Sequence, residues 1–338
     1  MKIINRDKMW CFKKYKAIAY LPTTYALLQY YLLEPYEVKE TLFFINTTFP
    51  ELISNRLSNV IPVRYISLYY HYLFLMKIHL YSFFNPKTPV YLGGNLPFAD
   101  LFMKSFETVF YLEDGVGSYE LVYNRERQVV KRNKSMLSRW LHGDRYPWYG
   151  LANNVRIIYL TGILPIPEII ANKVELIDLQ LLWQQKNLSQ KESILKVFLP
   201  EGIDKYMFVG YETLLLTQPF SEDSGIHFLE SDKIDVYRKL LSGYDESKVL
   251  IKVHPREKTD YSCYFPKARI LKTPCPMELL TLMGLPVKRA ISVNSTAIFN
   301  LGSSVEKIIS GYDITPALAE EAKRRGLHDG ISNRFTTK

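Results

Sequence analysis

The chain has 338 residues, 47% of them apolar, with 25 Tyr and 18 Phe. That composition excludes a disordered chain and leaves room for two domains of ordinary size, each with its own core. A formal charge of +9 and a pI near 9.1 point to an anionic partner: a nucleotide, an acidic polymer or a membrane surface. Nucleic acid is not expected, because no zinc-finger, RNP or basic-zipper pattern is present and the charge is spread rather than striped.

In chain order, residues 1–8 have no apolar core of the kind a signal peptide needs. Residues 17–21 read as a first strand, followed by Pro22-Thr23-Thr24 and a helix from Tyr25. Thr23 and Thr24 suit helix N-caps, and a turn that touches a ligand is the other reading. Strand-like runs recur at 41–45, 63–68, 89–92, 108–112 and 155–160, with helical patterns between them, as in a parallel βαβ succession. Residues 65–84 are the nearest approach to a membrane span. With His71, Lys77, His79 and many tyrosines they read as a buried or interfacial helix. Gly93-Gly94-Asn95 is a tight turn without the remaining glycines of a dinucleotide fingerprint.

The run at 109–112 delivers Glu113-Asp114-Gly115, two carboxylates at a strand terminus followed by a glycine that lets the backbone turn sharply. Such a carboxylate can serve as a general base if burial raises its pKa; an ordinary Asp-Gly turn is the other reading. Residues 131–145 are strongly basic and interleaved with aromatics, either a solvated face or an acceptor- or membrane-facing surface. Residues 184–193 suggest a helix leading to a linker near Pro200-Glu201-Gly202.

A second βα series is expected from 205–211 and 213–217, then a turn containing Gln218-Pro219 and a helix at 234–241. The apolar run 248–253 stops at His254-Pro255, which places His254 at a strand's carboxyl end, where open α/β sheets bind ligands. A second run, 289–293, leads through Asn294-Ser295-Thr296 into a helical segment, a pattern that suits an anion. Residues 307–310 read as the last strand, with a helical, then basic tail from Ala317. Cys11, Cys263 and Cys275 lack metal-ligand spacing, which fits a reducing cytoplasm.

Together, Glu113-Asp114-Gly115, His254-Pro255 and Ser295-Thr296 resemble the motif set of bacterial sialyltransferases, which include the lipooligosaccharide enzymes of glycosyltransferase family 52 and the capsular polysialyltransferases. The hydroxyl pair is Ser-Thr here rather than Ser-Ser. The resemblance implies an α/β, GT-B-like architecture of two Rossmann-like domains with parallel sheets facing a central cleft. The expected boundaries are 1–200, 201–315 and a C-terminal helix and tail at 316–338. It further implies inverting transfer of sialic acid from CMP-Neu5Ac to a cell-surface glycan hydroxyl, with no metal and no cofactor. By that resemblance Glu113 is the base with Asp114 its partner, and His254 meets the donor phosphate, which Ser295 and Thr296 also bind. Glu278 is the candidate for the ribose hydroxyls, with a favourable first-turn glutamate as the other reading. Gly115, Lys252, Pro255 and Gln218 complete the expected donor site. The partners are then a nucleotide sugar and a glycan acceptor. A homodimer and a peripheral contact with the inner face of the membrane stay open. So do CMP-Kdo or another nucleotide sugar as donor, and a non-catalytic binder of anionic glycans.

Overall fold

The computed structural model describes residues 10–119, 152–200, 203 and 205–326, apart from 35, 47, 64–67, 95, 97, 116, 225 and 226. The basic, aromatic stretch at 131–149 and the tail past 326 lie outside the described residues. The chain divides into two compact units, Met1–Phe198 and Leu199–Lys338.

The first unit is built on a parallel sheet of β1 (Ala17–Leu21), β2 (Thr41–Asn46), β3 (Val60–Val63), β4 (Val90–Gly93), β5 (Val109–Leu112), β6 (Val155–Leu160) and β7 (Val174–Leu176), in the order β3-β2-β1-β4-β5-β6-β7. The central strands are buried at every position but Asn46 and are mostly apolar, the usual state of a parallel sheet with both faces covered. Its helices include α1 (Thr24–Leu33), α2 (Glu51–Ser54), α3 (Leu68–Phe84) and α4 (Ala99–Ser105). On one face, Tyr20, Phe44 and Phe102 meet at ring separations of 5.3–6.1 Å, joined by Trp10 and Phe74. On the other, Tyr30 of α1 packs edge-on against Phe43 and Tyr91.

The second unit repeats the plan with β8 (Thr213–Leu216), β9 (Val249–Lys252), β10 (Arg269–Leu271), β11 (Arg289–Ser292) and β12 (Glu306–Ile309), in the order β10-β9-β8-β11-β12. Leu215, Ile251 and Ile291 share a core with Val236 and Tyr237 of the helix Glu230–Leu241. Leu318 and Ala322, on the helix Pro316–Arg324, are buried in that same core, so this helix is an integral part of the unit. In both sheets the first strand in sequence lies between neighbours reached in opposite directions. That arrangement leaves a ligand crevice at the carboxyl ends of β1 and β4, and of β8 and β11.

Two sequence expectations change, and one strand goes unread. The strand expected at 63–68 is β3, which ends at Val63; residues 64–67 lie outside the described set and α3 begins at Leu68. Pro62 hid this strand, and it is tolerated because β3 is a sheet edge. Residues 205–208 form a 3₁₀ helix rather than a strand, and Gly210, at φ 94°, turns the chain towards β8. The short edge strand β7, only three residues and largely exposed, gives no apolar run to read. Among the described residues, no helix is long and apolar enough to cross a membrane.

Phe102 touches both Tyr20 and Phe44 at the centre of the first core. Phe102→Ala should therefore cost about 3–5 kcal/mol of stability, read from the shift of a urea unfolding curve; a shift worth under about 1 kcal/mol would show that the aromatic cluster does not hold this unit together.

Candidate active site

At the end of β5 the chain runs directly into Glu113, whose side chain is wholly buried. Its carboxylate accepts hydrogen bonds from the Tyr119 hydroxyl (3.0 Å), the Thr161 N–H (2.5 Å) and the Tyr25 hydroxyl (3.3 Å). The Thr161 hydroxyl lies 3.0 and 2.8 Å from its two oxygens. The Gln29 amide holds the Glu113 backbone from both sides, donating to the carbonyl (2.8 Å) and accepting from the N–H (3.0 Å). Burial pushes the Glu113 pKa up, and the Thr161, Tyr119 and Tyr25 donors pull against it.

Asp114 is placed differently. It is half-buried, its N–H donates to the Ser118 hydroxyl (2.7 Å), and its Oδ1 accepts from Thr23 (2.9 Å). Among the described residues, that hydroxyl is the one side chain donating to its carboxylate. Burial raises its pKa too, against the Thr23 hydrogen bond. Thr23 also caps α1 by accepting the Ala26 N–H (3.2 Å), the N-cap reading of this turn. Gly94, at φ 66° past the end of β4, leaves the space Asp114 occupies: a Cβ there would overlap Asp114 Oδ2. Gly115, at φ 68°, supplies the turn after the pair.

Of the two carboxylates, then, Glu113 is enclosed and surrounded by donors, whereas Asp114 is half-buried and, among the described residues, takes a single side-chain hydrogen bond, on Oδ1. The sequence reading put the base on Glu113 with Asp114 as its partner; in the structure Glu113 is the more enclosed of the two.

In the second unit, Thr217 follows β8 and is almost fully buried. Its hydroxyl accepts the His254 N–H (3.1 Å) and donates to Glu257 Oε2 (2.8 Å), which also accepts from Tyr261 (2.8 Å). Among the described residues, Glu257 Oε1 is buried without a hydrogen-bond partner, and burial pushes the Glu257 pKa up to about 7. The His254 ring lies half-buried, and its Nδ1 accepts the Arg256 N–H (3.2 Å). A backbone N–H can only donate, so the neutral ring carries its proton on Nε2. Burial, helped by the Arg256 and Lys252 charges, lowers the His254 pKa to about 4. At neutral pH His254 is therefore an uncharged donor.

Gln218 bridges β8 and β11, accepting the Asn294 N–H (2.9 Å) and donating to the Asn294 carbonyl (3.1 Å). That fixes the strand end that leads into Ser295, whose N–H donates to the Ser292 hydroxyl (3.1 Å), and into the 3₁₀ helix Thr296–Asn300. His254, Gln218 and Ser295 thus sit at the carboxyl ends of three adjacent strands, β9, β8 and β11. Pro255 is exposed in the turn beyond His254. Lys252 does not join them. It is buried, and its ammonium donates to the carbonyls of Thr273 (2.9 Å) and Val253 (3.3 Å). Glu278 is buried as well, accepting from the Asn300 amide (2.7 Å), which ties the helix Met277–Leu282 to the segment after Ser295. Arg256 forms a two-pronged pair with Asp223 (2.7 and 3.2 Å).

Sequence reasoning missed Gln29, Thr161, Thr217 and Glu257. Gln29 did leave a signal, as the lone amide in the run Tyr25-Ala26-Leu27-Leu28-Gln29-Tyr30, since a buried amide must find partners. Thr161, Thr217 and Glu257 left none, because a single hydroxyl or carboxyl beside a strand end is commonplace.

The model of glycosyltransferase family 52 matches residues 75–318 of this chain. An uncharacterized protein of Haemophilus influenzae is 35% identical over 218 residues, covering 63% of this chain and 65% of the relative, so the match spans just under two thirds of that protein's length. Among solved structures, the α/β-galactoside α-2,3-sialyltransferase of Photobacterium phosphoreum superposes with a TM-score of 0.58 at 12% identity, over 93% of this chain and 96% of that one. A Vibrionaceae Photobacterium 2,6-sialyltransferase, solved with CMP and lactose, also gives 0.58 at 12% identity, over 93% and 77%. The GT-B domain of the Photobacterium damselae sialyltransferase gives 0.53 at 12% identity, over 92% and 97%. At such identity these likenesses establish the fold, a GT-B-like pair of Rossmann-like domains.

Two outcomes test this geometry. Gly94→Ala should leave the chain folded but displace Asp114, lowering any activity that depends on it by at least about tenfold; unchanged turnover would separate Asp114 from the chemistry. Glu257, at about 7 folded against an ordinary 4.5, makes the folded chain bind more protons than the unfolded one between those values. Stability should accordingly fall as pH rises through that window, by on the order of 3 kcal/mol from this group. Denaturant titrations of Glu257→Gln should show a flatter dependence there, and a slope equal to that of the parent would refute the assignment.

Proposed function

This chain belongs to glycosyltransferase family 52, and from that premise we propose that it is an inverting sialyltransferase moving sialic acid from CMP-Neu5Ac to a hydroxyl of a cell-surface glycan, in capsule or lipooligosaccharide. The observation that carries the reading is Asp114: a half-buried carboxylate of raised pKa, held on one oxygen by Thr23, at the carboxyl end of a strand.

In the proposed single displacement, the acceptor hydroxyl gives its proton to Asp114 as its oxygen attacks the anomeric carbon. The bond from that carbon to the CMP phosphate oxygen breaks, and CMP leaves with the bonding pair. His254, uncharged and with its proton on Nε2, donates a hydrogen bond to a phosphate oxygen, joined there by Ser295 and Thr296. A neutral donor suits this role, because it steadies developing negative charge without binding the ground-state anion as tightly as a cation would. Glu113 positions the loop rather than taking the proton, and Glu278 either meets the ribose or braces the segment after Ser295 through Asn300. No divalent cation is assigned a role, so turnover should persist in EDTA.

Asp114→Asn should lower transfer by about 10²–10⁴-fold while leaving CMP binding intact, whereas Glu113→Gln should act mainly through lost stability and a smaller fall in rate. The reverse ranking would return the base to Glu113. His254→Ala should weaken both CMP binding and turnover. In thermal-shift measurements CMP should stabilise the chain and UDP and GDP should not. Release of CMP from CMP-Kdo in preference to CMP-Neu5Ac would redirect the reading to another CMP-sugar.

A further inference from the structure

We propose that the outward face of α3, with the groove beside it, is the surface by which this protein rests on an anionic lipid bilayer. The 17 residues of α3 are apolar nearly all round, interrupted chiefly by Lys77 and two histidines. A soluble helix of this kind is ordinarily enclosed on every side. Here only one side is: Leu75, Ile78 and Tyr81 are fully buried against the sheet. The helical period places Tyr69, Tyr72, Met76 and Phe83 together on the opposite side, where Tyr69 is 71%, Met76 63% and Phe83 79% exposed.

That stripe continues into a groove of about 720 Å³, walled by Phe12, Leu73, Met76 and Phe83 and flanked by Lys77 and Lys104. Phe12 is itself 65% exposed. An apolar floor with an aromatic stripe and a cationic margin matches the bilayer interface, where rings sit at the headgroup level and ammonium groups reach the lipid phosphates. Charge favours this occupant over a second copy of the chain. None of the described residues lining the groove is acidic, so a two-fold contact through it would set lysines against lysines.

The placement also fits. Phe12 precedes β1, Phe83 precedes β4 and Lys104 precedes β5, so this end of the groove lies at the amino ends of the strands. Asp114 follows β5 at the opposite, carboxyl edge. A bilayer against the groove would leave that edge of the first unit uncovered.

The test is co-sedimentation of the full chain with vesicles of phosphatidylcholine alone or with roughly one third phosphatidylglycerol. Binding is expected to the anionic vesicles and to fall at least about tenfold in Met76→Glu/Phe83→Glu. Lys77→Glu, a single change at the groove's margin, should weaken it by about fivefold or more. Both variants should keep the parent's melting temperature and its turnover of a soluble acceptor, which keeps failure here distinct from failure of the catalytic reading. Indifference of the parent chain to anionic vesicles would overturn the proposal, and so would binding by the double variant equal to the parent's. A dimer in solution that Met76→Glu/Phe83→Glu dissolves, without vesicle binding, would assign the face to a second copy instead.

Discussion

A carboxylate taken wholly out of water must be encircled by donors, and the first unit is arranged around meeting that demand at Glu113. The donors come from the start of α1 (Tyr25), the short turn after Asp114 (Tyr119) and the end of β6 (Thr161), while Gln29 fastens the backbone on either side. Each donor belongs to a different stretch of chain. The carboxylate is therefore a point at which β5, β6 and α1 are drawn together, and Asp114, one residue on, inherits a fixed position from it. A partly satisfied network would be costly in such a setting, which makes the cluster all-or-none in character.

The two units solve the same problem alike. In each, the first strand of a doubly wound sheet is followed by a threonine whose hydroxyl reaches across to a residue just past the end of another strand. Thr23 takes the Ala26 N–H and donates to Asp114; Thr217 takes the His254 N–H and donates to Glu257. A hydroxyl suits this post because it can accept and donate at once, so it passes the constraint onward. His254 is held at two points, by Thr217 at its N–H and by Arg256 at Nδ1, and the second sets which nitrogen is free to face a ligand.

Much of this plan was legible in residue order. Apolar runs halted by proline or glycine located most strands, since buried parallel strands have no polar face to blur them. The Glu113-Asp114-Gly115 and His254-Pro255 pairs announced themselves because charge and imidazole are conspicuous at strand ends. What stayed hidden were relationships rather than residues. Which of two adjacent carboxylates is enclosed depends on Thr161 and Gln29, far off in sequence. That Lys252 turns inward depends on carbonyls at Val253 and Thr273, which every sequence possesses. Pro62 concealed β3 because edge and centre cannot be told apart before the sheet is assembled.

The reciprocal clasp between Gln29 and the main chain of Glu113 carries an evolutionary consequence. An aliphatic side chain at 29 would orphan a peptide N–H and a peptide carbonyl simultaneously, and no substitution at 113 repairs that loss, since both groups are backbone. Descendants of this sequence are therefore free to drift across the helix surface yet bound to retain an amide at this one interior spot. It is an ancestral commitment lodged in a residue that performs no chemistry.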